Sequence, residues 1–169
     1  MIAPDVARTD PPYAAGEREM LESWLDYHRA TLLWKCAGLA DEQLKQRSSP
    51  PSNLSLLGLV RHMTEVEQGW FGHFVGERVT PPYGSDEQPD ADFENVDGAD
   101  AAADFAAFER ECARSRERAA GHGLDETFVS RRGRTISLRW IYVHMIEEYA
   151  RHNGHADLIR EAIDGVTGA

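Results

Sequence analysis

Between His144 and His155 the chain reads HMIEEYARHNGH, three histidines and two glutamates within about three helical turns. Imidazole nitrogen and carboxylate oxygen are donor atoms that zinc, nickel and iron accept alike. Residues four apart on a helix can converge on one point, and Glu148 and His152 have that spacing. Two ligands from one helix leave a site incomplete. His62, set in an apolar row of an earlier segment, is the natural third. Three protein ligands leave a position for water or substrate, which is the pattern of a catalytic centre rather than a closed structural one. The same residues also fit a metal-free hydrogen-bond network in which Glu148 pairs with a histidine or with Arg151. Spacing alone does not separate these readings.

Several neighbours are candidates for lesser roles. His144 and His155 lie one helical step from the proposed ligands; with Arg151 they are candidates to orient a ligand or touch substrate, and the two histidines are also alternative ligands. His28 falls on an apolar face and reads as a satisfied core residue, while His73 and His122 read as rim or loop residues. Glu65 and Glu67 read as a solvated helix face. Trp70, Phe71, Trp140 and Tyr142 read as core and rim packing.

Long amphipathic helices must position these groups. Leu21, Trp24, Leu25, His28, Leu32, Cys36 and Leu39 recur at three- and four-residue steps from Gly16 onward, predicting a first helix that the breaker cluster Ser48 to Asn53 stops. A second begins near Ser55, carries Leu56, Leu59, Val60, Met63, Val66, Trp70, Phe71 and Phe74 inward, and ends at Gly76. Residues 79–100 are rich in proline and acids and predict a long acidic loop with too few apolar residues for a packed element. A third helix runs from about Asp100 to Ala120, with Phe105, Phe108 and Cys112 inward and Glu109, Glu111, Arg114 and Arg116 outward. Gly133 marks a turn with short extended flanks. Ser137 caps a long fourth helix ended by Gly165. On that last helix Ile141, Met145, Glu148, His152, His155 and Ile159 form one inward stripe, half of it polar. Unpaired buried polar groups cost about 1–3 kcal/mol each, so something must compensate them.

The pattern is all-α: a single domain over residues 1–169 forming a four-helix bundle, with residues 1–15 loose. The length of the middle loop would let helices two and three run in the same direction. No apolar run is long enough to span a bilayer and no targeting segment is evident, which predicts a cytoplasmic protein without a membrane partner. A net charge of −11 speaks against nucleic acid as a partner. Cys36 and Cys112 read as buried reduced thiols.

The stretches LLGLVRHMTEVEQGWF (56–71) and HMIEEYARHNGHADLIRE (144–161) together resemble the DinB-like superfamily, a likeness that covers nearly the whole chain. The resemblance implies a bundle of that type, with a long crossover loop between helices two and three. It also implies a metal triad drawn from helices two and four, here His62, Glu148 and His152. The superfamily commonly has two histidines four apart on helix four, the second opening a His-Arg-Gly-Gln motif. Here Glu148 replaces the first histidine, and the tetrapeptide is His152-Asn153-Gly154-His155. A histidine, glutamate, histidine set resembles the mycothiol-dependent maleylpyruvate isomerase branch.

That likeness implies a divalent ion, zinc or nickel foremost, and a low-molecular-weight thiol co-substrate. The reaction would be S-transfer to a small electrophilic molecule or its thiol-assisted isomerisation. Lys35 and Lys45 are the only lysines against many arginines, and alanine is abundant, a GC-rich bias that favours mycothiol over bacillithiol. The alternative is a non-catalytic bundle that binds metal or a small ligand as a sensor or stress-response module; a homodimer is compatible with either. A purely structural or partner-binding bundle would carry no metal. Arg131, Arg132 and Arg134 help to discriminate: at a cavity mouth they would suit an anionic thiol or acid, whereas facing solvent they are a charged turn.

Overall fold

Burial of the apolar rows organises the computed structural model, which describes residues 1–168. Ala169, the last residue of the expected domain, lies outside the described residues. Four long helices, α1 (Glu17–Cys36), α3 (Leu56–Phe74), α5 (Ala101–Ala119) and α6 (Leu138–Asp164), carry most of the chain. Two short helices, α2 (Asp41–Lys45) and α4 (Ala91–Glu94), and a hairpin of β1 (Thr127–Val129) and β2 (Thr135–Ser137) complete the mainly helical fold. Helix α1 packs on α6, and α3 packs on α5, α6 and α4. Leu25, Leu32, Leu59, Met63, Phe108, Met145 and Tyr149 are fully or almost fully buried where these helices meet. Among the described residues, no helix is long and apolar enough to cross a membrane.

The predicted starts and stops hold where a local signal specifies them. Ser55 Oγ accepts the Gly58 N–H at 3.1 Å and starts α3. Asp100 caps α5 through the amides of Ala102 and Ala103. Ser137 accepts the Trp140 N–H to start α6, and Gly165 ends it in the left-handed conformation at φ 77°. The hairpin pairs Phe128 with Ile136 around the turn at Gly133.

Four expectations differ. The first helix ends at Cys36 rather than at the proline cluster, because Gly38 turns the chain left-handed at φ +76° and donates to Ala3 O at 2.9 Å. Leu39 then packs from a bend and Leu44 from α2, so both bury without extending α1. The opening segment is also tied down at one point: Ala3 N–H donates to Leu39 O, and Ala3 is only 2 % exposed.

The acidic loop contains a packed element after all. Helix α4 buries Ala91 and Asp92, and Val96 follows it inside. Few apolar residues suffice because α4 lies on glycine: a Cβ at Gly58 would stand 3.1 Å from the Phe93 ring. Finally, Glu111 is buried rather than outward, since Arg118, seven residues on along the same helix, reaches back to its carboxylate.

Candidate metal centre

Helix α3 presents His62, and two successive turns of α6 present Glu148 and His152. One ring nitrogen from each histidine and one oxygen of Glu148 lie within 4.8 Å of one another. His152 Nε2 stands 3.6 Å from Glu148 Oε2, and the His62 and His152 rings are 4.7 Å apart. Ligands held at about 2.1 Å around a tetrahedral ion stand about 3.4 Å apart, so this spacing suits a shared cation. His152 is buried while His62 and Glu148 are half-buried, placing the group at the edge of the core rather than amid hydrocarbon.

Each histidine is prepared in a different way. His62 Nδ1 meets Asp92 Oδ2 at 2.8 Å, and a carboxylate there holds the proton on Nδ1 and leaves Nε2 as a free donor atom. Asp92 is itself 3 % exposed and fixed by the Phe93 N–H at 2.9 Å, while the Phe93 ring stacks on His62 at 4.9 Å. Arg61 anchors this corner of the loop, donating to Asp92 O at 3.0 Å and Ala91 O at 3.2 Å. For His152 burial comes first, followed by repulsion from His62 and His155, and together they lower its pKa to about 4. Its imidazole is therefore neutral at physiological pH.

Glu148 has no normal hydrogen bond. It meets His144 Nε2 at 3.4 Å and His152 Nε2 at 3.6 Å, longer than a carboxylate–imidazole contact prefers. His155 lies beyond the three, with its Nδ1 3.4 Å from His152 Nδ1. His144 stacks on Trp140 at 4.7 Å, with Trp70 edge-on at the same distance. Arg151 does not join the group: it is exposed and pairs with Glu147. A second set, His144, Glu147 and Glu148, also comes within 4.8 Å, but it lies on one helix face and includes the exposed Glu147.

His62 borders a cavity of about 1030 Å³ whose walls include Trp70, Trp140 and Phe93 and whose hairpin side includes Arg131, Arg132 and Arg134. The two tryptophans are thus walls of a cavity as well as packing for each other, their rings 5.0 Å apart.

Over residues 20–165 the sequence matches the family described as Mycothiol-S-transferase. The chain belongs to this family. It is a family within the DinB-like superfamily. No curated protein and no solved structure gives a match. The match begins within α1, spans the other three long helices, and so contains His62, Glu148 and His152 together with the loop that carries Asp92.

Two features escape a linear reading. Nothing marked Asp92 among the many acids of residues 79–100 as the partner of His62. Glu67 is wholly buried rather than solvated: Arg29 grips both its oxygens at 2.7 Å, and Tyr149 donates to Oε1 at 2.8 Å. A signal existed there, because position 67 lies four residues from both Met63 and Phe71 on the apolar row. Glu65 is also engaged, accepting the backbone N–H groups of Tyr83 and Gly84 at 2.7 Å. Cys36 and Cys112 are buried and free, and burial pushes both thiols up, that of Cys36 to about 12, so neither is an ionised nucleophile at neutral pH.

Proposed function

We propose that the chain is a metal-dependent S-transferase: a divalent ion, zinc or nickel, is held by His62, Glu148 and His152, and a low-molecular-weight thiol of the mycothiol kind is joined to a small electrophile. The observation that carries the reading is Glu148, a half-buried carboxylate without a normal hydrogen bond, gathered with His152 and with His62, which borders a large cavity. The Glu148 side chain is 21 % exposed, so water reaches the oxygens and no protein group competes with a cation for them. Family membership supplies the sulfur chemistry.

The chain's own residues would divide the work as follows. His62, oriented by Asp92, and neutral His152 offer nitrogen, and Glu148 offers the one negative charge. When bound, a divalent ion lowers the pKa of a thiol so that thiolate forms at neutral pH. The cavity wall of Trp70 and Trp140 orients the electrophile. The sulfur lone pair then forms the new S–C bond as the leaving group departs with its bonding pair, the thiol proton having gone to water. The step is redox-neutral and needs no oxidant.

The reading includes the architecture that brings α3 to α6: a single four-helix bundle with a crossover between α3 and α5. Supporting it, Arg61 pairs with Asp104 near the start of both helices, and Glu77 with Arg118 at their far ends, as two parallel helices would. His62 near His152 and Trp70 near Trp140 are what antiparallel α3 and α6 require.

Metal analysis of untagged protein tests the site. Wild type should hold stoichiometric zinc or nickel, and His62→Ala and His152→Ala should lose it; wild type that stays empty after reconstitution overturns the reading. In a cobalt-substituted sample, mycothiol should add a sulfur-to-metal charge-transfer band, and an unchanged spectrum at saturating thiol removes thiol ligation.

A further inference from the structure

The hairpin side of the cavity is charged in a way the rest of the molecule is not. In a chain of net charge −11, most arginines are tied to carboxylates: Arg29 to Glu67, Arg116 to Asp26, Arg118 to Glu77 and Arg139 to Glu17. Arg131, Arg132 and Arg134 are exposed, border the cavity, and among the described residues make no side-chain hydrogen bond or ion pair. The acids of the same cavity keep their charge but spend their oxygens elsewhere: Glu65 on two backbone amides, Glu77 on Arg118 and Asp92 on His62. None of these acids forms an ion pair with the three guanidinium groups.

The three side chains are also presented by a defined turn. Ser130 N–H donates to Arg134 O at 2.9 Å and Gly133 N–H to Ser130 O at 2.8 Å, with Gly133 at φ +73°. Their charge is felt within the cavity: His73, on its wall, has its pKa lowered by burial first and by Arg131 next.

Resting on the S-transferase reading, we propose that the electrophile of this site is a small organic anion, its apolar body against Trp70 and Trp140 and its carboxylate held by Arg131, Arg132 and Arg134. Guanidinium matches carboxylate in a planar two-bond fork, and indole walls take a hydrocarbon or aromatic body without a polar partner. The thiol would meet the electrophile at His62, which of the three candidate ligands is the one that borders the cavity. Selection between electrophiles then depends on charge as well as shape.

Quenching of tryptophan fluorescence by benzoate, cinnamate and hexanoate tests this, with benzamide, cinnamamide and hexanamide as uncharged counterparts. At least one carboxylate should bind ten times or more tighter than its amide, and added salt should erode the difference. The variant with Arg131→Gln, Arg132→Gln and Arg134→Gln should lose that preference, whereas Arg110→Gln, on α5, should keep it. Equal binding of every acid and its amide by wild type overturns the proposal without reference to any variant, as does an undiminished preference in the triple variant.

Repeating the titration on metal-free protein and on His62→Ala separates the two readings. Carboxylate preference that survives there while mycothiol gives no cobalt band leaves the anion subsite standing and the S-transferase reading fallen. A cobalt band without carboxylate preference does the reverse.

Discussion

Two polar clusters lie within a few turns of each other on the same two helices, and their partners set them apart. Glu67 on α3 is completely buried and saturated, with two arms of Arg29 and the Tyr149 hydroxyl all within 2.8 Å. Glu148 on α6 is half-buried and has no polar side-chain partner closer than 3.4 Å. The first cluster has closed upon itself and can only hold helices together. The second leaves donor atoms unspent beside a cavity. Of these two carboxylates, the better-bonded one is structural, and the candidate for chemistry is the one that lacks protein partners.

The comparison breaks most sharply at Arg29 and Glu67. Removing one partner of a buried ion pair strands the other, so Glu67→Ala should cost about 3–5 kcal/mol in denaturant unfolding. The folded fraction should still bind metal. Glu148→Gln should do the opposite, leaving metal-free stability within about 1 kcal/mol of wild type while abolishing the rise in melting temperature on adding zinc. If both substitutions cost stability alike and neither touches metal, the distinction between the clusters is gone.

Asp92→Asn should weaken metal binding about 10–100-fold, because the amide no longer holds the His62 proton on Nδ1; competition with a chelator measures it. Tyr149→Phe removes one of the hydrogen bonds to Glu67 and should cost about 1–2 kcal/mol with no effect on metal.

The smallest effect concerns pH. Metal-free His152 has a pKa near 4 in the folded chain, below the ordinary histidine value of 6.5. The unfolded chain therefore takes up a proton that the folded chain refuses, and stability falls as pH drops from about 6.5 to about 4. His152→Gln should flatten that part of the profile; an unaltered slope would mean that His152 is not held neutral.

Legibility followed the range over which each cause acts. Helices α3 and α6 were readable because the caps Ser55 and Ser137 and the glycines at 76 and 165 act over three or four residues. The end of α1 was not, because Gly38 is turned by a hydrogen bond to Ala3, thirty-odd residues away in sequence. Helix α4 was hidden in an acidic loop, because its burial depends on the bare backbone of Gly58 on another helix.

By itself the sequence determined which side chains share a helix face, and therefore that Glu148 and His152 stand together, since helical spacing is a local property of the backbone. The tertiary structure decided the rest: that His62 meets them across two helices, that Asp92 reaches His62 from a loop, and that Glu67 is sealed inside while three hairpin arginines are left facing a cavity. An unmet charge and a satisfied one look the same in a linear chain. They differ only once packing has brought, or failed to bring, a partner within hydrogen-bonding distance.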